Sequence, residues 1–163
     1  MEKLHWIQNK IYTTENLIKQ CNVWRAMQKR IVFTNGCFDI LHYGHLMLLA
    51  QAAQLGDVLI LGLNTDNSVK RLKGEERPVT NEKDRAFQAA SLLCIDAVCL
   101  FDEPTPELLI KAIKPDVLVK GGDYKIETIV GADFVIANGG KVEIIPFVSG
   151  YSTTSIIDRI KKL

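Results

Sequence analysis

Apolar residues in this chain fall into short blocks of two kinds, and the two kinds alternate. "RIVFTNG", "DVLILGLN", "AVCLF", "DVLVKGG" and "KVEIIPF" are uninterrupted runs rich in β-branched and aromatic residues, as expected of strands buried on both faces of a parallel sheet. Between them the spacing changes to three and four. "HLMLLAQAAQLG" predicts a helix stopped by Gly56, and "EKDRAFQAASLLCID" another with Asn81 as its cap. "TPELLIKAIKP" predicts a short helix with Pro106 in its first turn and Pro115 beyond its end. A further helix is expected around "IETIVGADFVIANGG", and "STTSIIDRIKKL" sets Ile156, Ile157, Ile160 and Leu163 on one side of a last one. Ahead of the first strand, Thr13 or Thr14 can cap a helix in which Leu17, Ile18, Cys21, Trp24 and Met27 recur at helical spacing.

Five strands alternating with helices predict an α/β fold, a Rossmann-like five-stranded parallel sheet with helices on both faces. Residues 1–30 read as a helical arm packed on the main fold, and residues 31–163 as one domain. No repeat, low-complexity stretch or Gly/Ser linker divides them.

Composition narrows the partners. At 163 residues the chain can bury roughly two thirds of its unfolded surface in one core. Twenty basic against nineteen acidic residues exert no global pull on nucleic acid or membrane, so any positive field must be local and partners must be read from clusters. Cysteines 21, 37, 94 and 99 lack metal or redox spacing and read as reduced thiols. No window approaches the roughly 18 apolar residues of a membrane span, and the chain is expected to be cytoplasmic. The apolar arm, with Trp6 and Trp24, makes a homo-oligomer an expectation.

The unusual residues gather where strands end, at 34–45, 64–77, 120–124 and 149–155, and open parallel sheets bind ligands outside those ends. His42 and His45, three apart at a helix start, share one face there, and Gly44 opens the backbone to an anion held by unpaired helix amides. "KRLKGEERP" sets Lys70, Arg71, Lys73 and Arg77 in a glycine-containing loop able to close over phosphates. Arg85 has two readings, a phosphate contact or an ion pair with an acidic neighbour on its helix. "GYSTTSII" offers Ser152, Thr153 and Thr154 at another helix start, where capping and phosphate binding are compatible. "VKGGDY" joins Lys120, Gly121 and Asp123 in a tight turn, and Asp39 can orient a backbone loop or a bound hydroxyl. Cys37 has no paired base and reads as a bystander rather than a nucleophile.

Together "GCFDILHYGH", "NTDNSVKRLKGEERPV", "EKDRA", "PDVLVKGGDY", "ANGGKVEIIPF" and "GYSTTSII" resemble the HxGH nucleotidyltransferase superfamily, and within it the adenylyltransferase branch that forms ADP-heptose for bacterial lipopolysaccharide. The resemblance runs from about residue 10 to the C-terminus. It implies ATP as substrate, accompanied by Mg2+ held mostly by the triphosphate with no protein metal ligand, and a heptose 1-phosphate as acceptor. It implies His42, His45 and Lys73 as the catalytic set. Asn35, Gly36, Cys37, Phe38, Gly44, Arg77, Arg85, Lys120, Gly121, Asp123, Ser152, Thr153 and Thr154 would surround the nucleotide or acceptor. A separate heptose kinase is then expected to supply the acceptor. Two rivals stay open: a cytidylyltransferase acting on glycerol 3-phosphate or a similar small phosphate, and a nucleotide-binding sensor without turnover.

Overall fold

The structure, a computed structural model, describes residues 2–163. After helix α1 (Lys3–Gln8) come strand β1 (Ile11–Tyr12) and helix α2 (Thr14–Ala26), capped by Thr13, whose hydroxyl accepts from Asn16 N. The body of the fold follows: β2 (Ile31–Gly36), α3 (Tyr43–Ala53), β3 (Val58–Asn64), α4 (Asp66–Lys73), α5 (Glu82–Ala90), β4 (Ala97–Phe101), α6 (Glu107–Ile113), β5 (Val117–Gly121), α7 (Ala132–Ala137), β6 (Lys141–Ile145) and α8 (Thr153–Ile160). All strand pairs are parallel, in the order β1-β4-β3-β2-β5-β6.

The sheet thus has six strands where the sequence pattern predicts five. The extra one is β1, whose Ile11 and Tyr12 pair with Val98 and Cys99 at the sheet edge. Lys10 anchors it: its ammonium donates to the carbonyls of Ile95 at 2.7 Å and Leu92 at 3.3 Å and lies 3.7 Å over the Trp6 ring. Two residues are too few for a period of two to register.

Alternation along the strands splits the core between the two faces of the sheet. Ile31, Phe33, Ile60 and Leu118 pack with α2, α6 and α7, whereas Val32, Leu59, Leu61 and Val119 pack with α3 and α5. β2 lies at the point where strand order reverses, with β3 on one side and β5 on the other, so the crevice opens above Gly36.

Two local expectations are corrected. Lys70, Arg71 and Lys73 stand on helix α4 rather than in a loop: Thr65 caps it by accepting from Ser68 N at 3.1 Å, and the basic residues fall in its last turn, where they complement the negative end of the helix dipole. The expected helix around residues 126–140 is broken into a 3-10 turn (Ile126–Thr128) and α7, because Gly131 turns the chain at φ 84° with Ile110 packed against it. Among the described residues no helix is long and apolar enough to cross a membrane.

Candidate functional site

Two cavities open at the carboxyl ends of the central strands. One, of about 530 Å³, is bordered by His42, Gly44 and His45 from the start of α3, by Ser152, Thr153 and Thr154 from the start of α8, and by Arg77. The other, of about 450 Å³, lies toward the α6 face and takes Asn35, Gly36 and Cys37 from the end of β2, Asn64 from β3 and Lys120 from β5. Lys73 borders both. The sheet therefore brings together segments that are up to about a hundred residues apart in sequence, as a switch point does.

The histidines are held as a pair. His42 is the N-cap of α3, and its Nδ1 accepts from His45 N at 3.4 Å. That bond leaves Nε2 to carry the proton of the neutral ring, so it faces outward as a donor. The two rings stack at 3.7 Å with an 18° tilt, and Phe38 supports His45 from behind at 4.9 Å. Burial, then the neighbouring His42 and the Lys73 ammonium, push the His45 pKa down to about 4; burial also lowers that of His42. Near neutrality both imidazoles are uncharged hydrogen-bonding groups. Positive charge in the cavity comes from Lys73, Arg77 and the amino ends of α3 and α8.

Those two helix ends approach closely because residue 44 has no side chain. A Cβ on Gly44 would stand 3.2 Å from the His42 ring and 3.3 Å from Tyr151 Cβ. Ser152 caps α8 by accepting from Ser155 N at 3.0 Å, Thr153 is buried, and Thr154 is exposed at the cavity edge. Free amides at two amino ends facing one space suit a polyanion chemically.

The residue that sequence reasoning left least defined is Asp39. Its carboxylate is fully buried and accepts from Val79 N and Thr80 N, each at 2.8 Å, and from Arg77 Nε at 2.6 Å, with Arg77 Nη2 2.5 Å from the same oxygen. Burial pushes its pKa up, but the amides of Thr80 and Val79 and the Arg77 guanidinium outweigh it, and the carboxyl stays below its usual range. Asp39 thereby fixes the segment that holds Arg77 at the cavity wall.

Residues 33–159 match the cytidylyltransferase-like family. This chain belongs to that family. Bifunctional protein HldE of Trichlorobacter lovleyi is 55% identical over 93% of this chain, and its counterpart from Syntrophotalea carbinolica 54% over 93%. The chain spans 31% of the length of each of these curated relatives. Among solved structures, the lipopolysaccharide core biosynthesis protein from Thermoplasma volcanium GSS1 is 28% identical, with a TM-score of 0.59 covering 76% of this chain and 99% of that one.

Within this cytidylyltransferase-like domain several candidate residues stand elsewhere than the two cavities. Arg85 is fully buried, and its guanidinium donates to the carbonyls of Cys37 at 2.7 Å, Asn64 at 2.8 Å and Thr80 at 2.9 Å and to Asp66 at 2.6 Å. Its acid partner is on α4, not on its own helix. Arg85 clamps the loops that carry the site and borders neither cavity. Phe38 packs under His45, Asp123 is exposed, and Gly121 makes room for Leu48 and Phe147, to which a Cβ would come within 2.8 Å and 3.2 Å. The Cys37 thiol lines the second cavity, but burial raises its pKa despite nearby cations, so it is not activated as a nucleophile.

Magnesium finds no ready-made site. Among the described residues no group of three His, Cys, Asp or Glu side chains could hold a metal, and the Asp39 carboxylate is committed to Arg77 and two amides.

Proposed function

We propose that this chain transfers the adenylyl group of ATP to the phosphate of D-glycero-β-D-manno-heptose 1-phosphate, giving ADP-heptose and pyrophosphate for lipopolysaccharide core synthesis. The observation that carries this reading is the shared cavity of the paired imidazoles and the Ser152–Thr153–Thr154 helix start, joined through Lys73 to a second cavity. Membership of the cytidylyltransferase-like family supports the transfer, and kinship with proteins called HldE and with a lipopolysaccharide core biosynthesis protein supports the acceptor.

In this reading the triphosphate lies in the first cavity and the sugar phosphate in the second. A phosphate oxygen of the acceptor attacks the α-phosphorus; that O–P bond forms as the bond to the β-phosphate oxygen breaks, and the electron pair leaves with pyrophosphate. The nucleophile is already an anion, so no base has to take a proton. What the protein supplies is alignment of two mutually repelling anions and stabilisation of charge on the transferring group. His42 and His45 donate hydrogen bonds at the α-phosphate. The amides and hydroxyls at the start of α8 take the β- and γ-phosphates. Lys73, placed between the cavities, follows charge from nucleophile to leaving group, and Arg77 gives a fixed counter-charge. Magnesium enters with the triphosphate, neutralising charge on the leaving group. Kinase chemistry must supply the acceptor phosphate; the relatives are named bifunctional, and this chain carries the transferase step.

Incubation with ATP or CTP, magnesium and a panel of sugar and polyol phosphates, with pyrophosphate release as the readout, tests base, acceptor and turnover together. The expected result is release with ATP and the heptose 1-phosphate. Preference for CTP with glycerol 3-phosphate, or no release with any pair, would refute the assignment.

A further inference from the structure

The glycine turn after β5 is shared between the two cavities, and the alternation of side chains along the strand divides it. Gly121 faces Leu48 and Phe147, on the side of the paired histidines, whereas the preceding Lys120 points with Leu118 into the second cavity. There the Lys120 ammonium has one polar neighbour, Asn35 Oδ1 at 3.4 Å, and lies 5.7 Å over the Tyr124 ring. No Asp or Glu lines that cavity, and among the described residues Lys120 has no ion pair. Burial lowers its pKa. A largely buried ammonium without a carboxylate costs stability unless other acceptors satisfy it, as two carbonyls do for Lys10; Lys120 has only the Asn35 amide oxygen, which leaves the missing charge for a ligand to supply.

Lys73, also without an ion pair among the described residues, stands at the border of the same cavity. Two ammonium groups over a space lacking acids suit a dianionic phosphate monoester. Side-chain amides of Asn35 and Asn64 and hydroxyls of Thr105 and Thr128 suit a polyol attached to it. We propose that Lys120 binds the phosphate of the acceptor, not the nucleotide, and sets the requirement for a phosphorylated over a free sugar. The assignment rests on the adenylyl-transfer reading above for the identity of the acceptor.

Lys120→Met keeps an unbranched side chain one atom shorter and removes its charge. Loss of a charge-assisted hydrogen bond should raise the KM for D-glycero-β-D-manno-heptose 1-phosphate roughly ten- to hundred-fold, with the KM for ATP unchanged and Lys120→Arg recovering part of the loss. The melting temperature of Lys120→Met in the absence of ligand should equal or exceed that of the native protein; a purely structural lysine would lower it. Calorimetric titration with the heptose phosphate, in the presence of α,β-methylene-ATP, gives a second reading independent of turnover. Weaker acceptor binding by Lys120→Met supports the proposal even if the native protein shows no turnover, an outcome that overturns only the adenylyl-transfer reading. Equal binding of the acceptor by both proteins, no binding by either, or a loss confined to ATP would overturn the proposal.

Discussion

Replacing Asp39 by asparagine keeps the shape of the side chain and removes its charge. In the native protein the two carboxylate oxygens face only donors: Val79 N and Thr80 N on one, Arg77 Nε and Val79 N on the other. Either orientation of the asparagine amide therefore points an NH2 group at an N–H. Hydrogen bonds to charged groups are worth about 1.5–3 kcal/mol each, and removing one partner of a buried ion pair costs about 3–5 kcal/mol. The Arg77 side chain is 15% exposed at the cavity rim, so it can swing out and recover some hydration. The lower end, about 3 kcal/mol, is therefore expected. With a urea m-value of about 2 kcal/mol/M the unfolding midpoint should fall by about 1.5 M.

The same substitution should lower kcat/KM for ATP in protein that remains folded, because Arg77 no longer has a fixed place at the wall. The sign with pH is set by the depressed carboxyl: its stabilisation is complete above the ordinary carboxyl value of 3.8 and is lost as pH falls through the lower folded-state value. The gap between native and variant midpoints should thus close in strong acid. A midpoint within about 0.5 M of native at neutral pH, with ATP kinetics unchanged, would refute the reasoning.

Arg85→Met should lose about 3–5 kcal/mol in urea unfolding, since it strands Asp66 and three carbonyls, while the KM for ATP in the folded fraction stays near native. His45 is held neutral, with a folded pKa of about 4 against 6.5 for an ordinary histidine, so its contribution to stability is complete above pH 6.5 and declines as pH falls toward 4. Urea midpoints at pH 7 and pH 5 should differ more in native protein than in His45→Gln. Gly44→Ala should reduce turnover roughly 10- to 100-fold, read by pyrophosphate release with little change in melting temperature, because its methyl displaces the His42 ring by tenths of an ångström at a solvent-facing edge.

Elements whose information is local were legible before folding. The five long strands are runs of buried β-branched and aliphatic residues, and Thr13, Asn81 and Ser152 each cap the helix they precede, because a cap is a contact between residues three apart. α4 was hidden: glycine and charge dominate its end, and Val69 is its one buried apolar side chain. The site divides in the same way. The paired histidines and the serine–threonine helix start are short patterns. Asp39 instead acts on Arg77, Val79 and Thr80 some forty residues away, and Arg85 acts on three carbonyls from separate segments. Nothing in the local spacing of either residue records those partners. The only trace of Asp39 is a carboxylate set between Phe38 and Ile40 in a segment otherwise fit for burial.

The division between fixed and movable charge follows from the same contacts. Arg77 is pinned by a buried carboxylate, and the two helix ends are pinned by the sheet, so in the proposed transfer these groups would define where the triphosphate lies but would not track it. Lys73 differs: it is exposed, ends α4, and is followed by Gly74 at φ 99°, where an added Cβ would meet nothing within 4 Å. Displacement at phosphorus moves negative charge from the attacking to the departing oxygen, and a rigid array complementary to one end of that path is less so to the other. An ammonium on a flexible stem beside an open glycine can shift with the charge at small cost. With Lys73 at the border of the two cavities, between Arg77 and the helix ends on one side and the Lys120 ammonium on the other, the proposed transfer would find concentrated positive charge for two anions in a chain whose net charge is only +1.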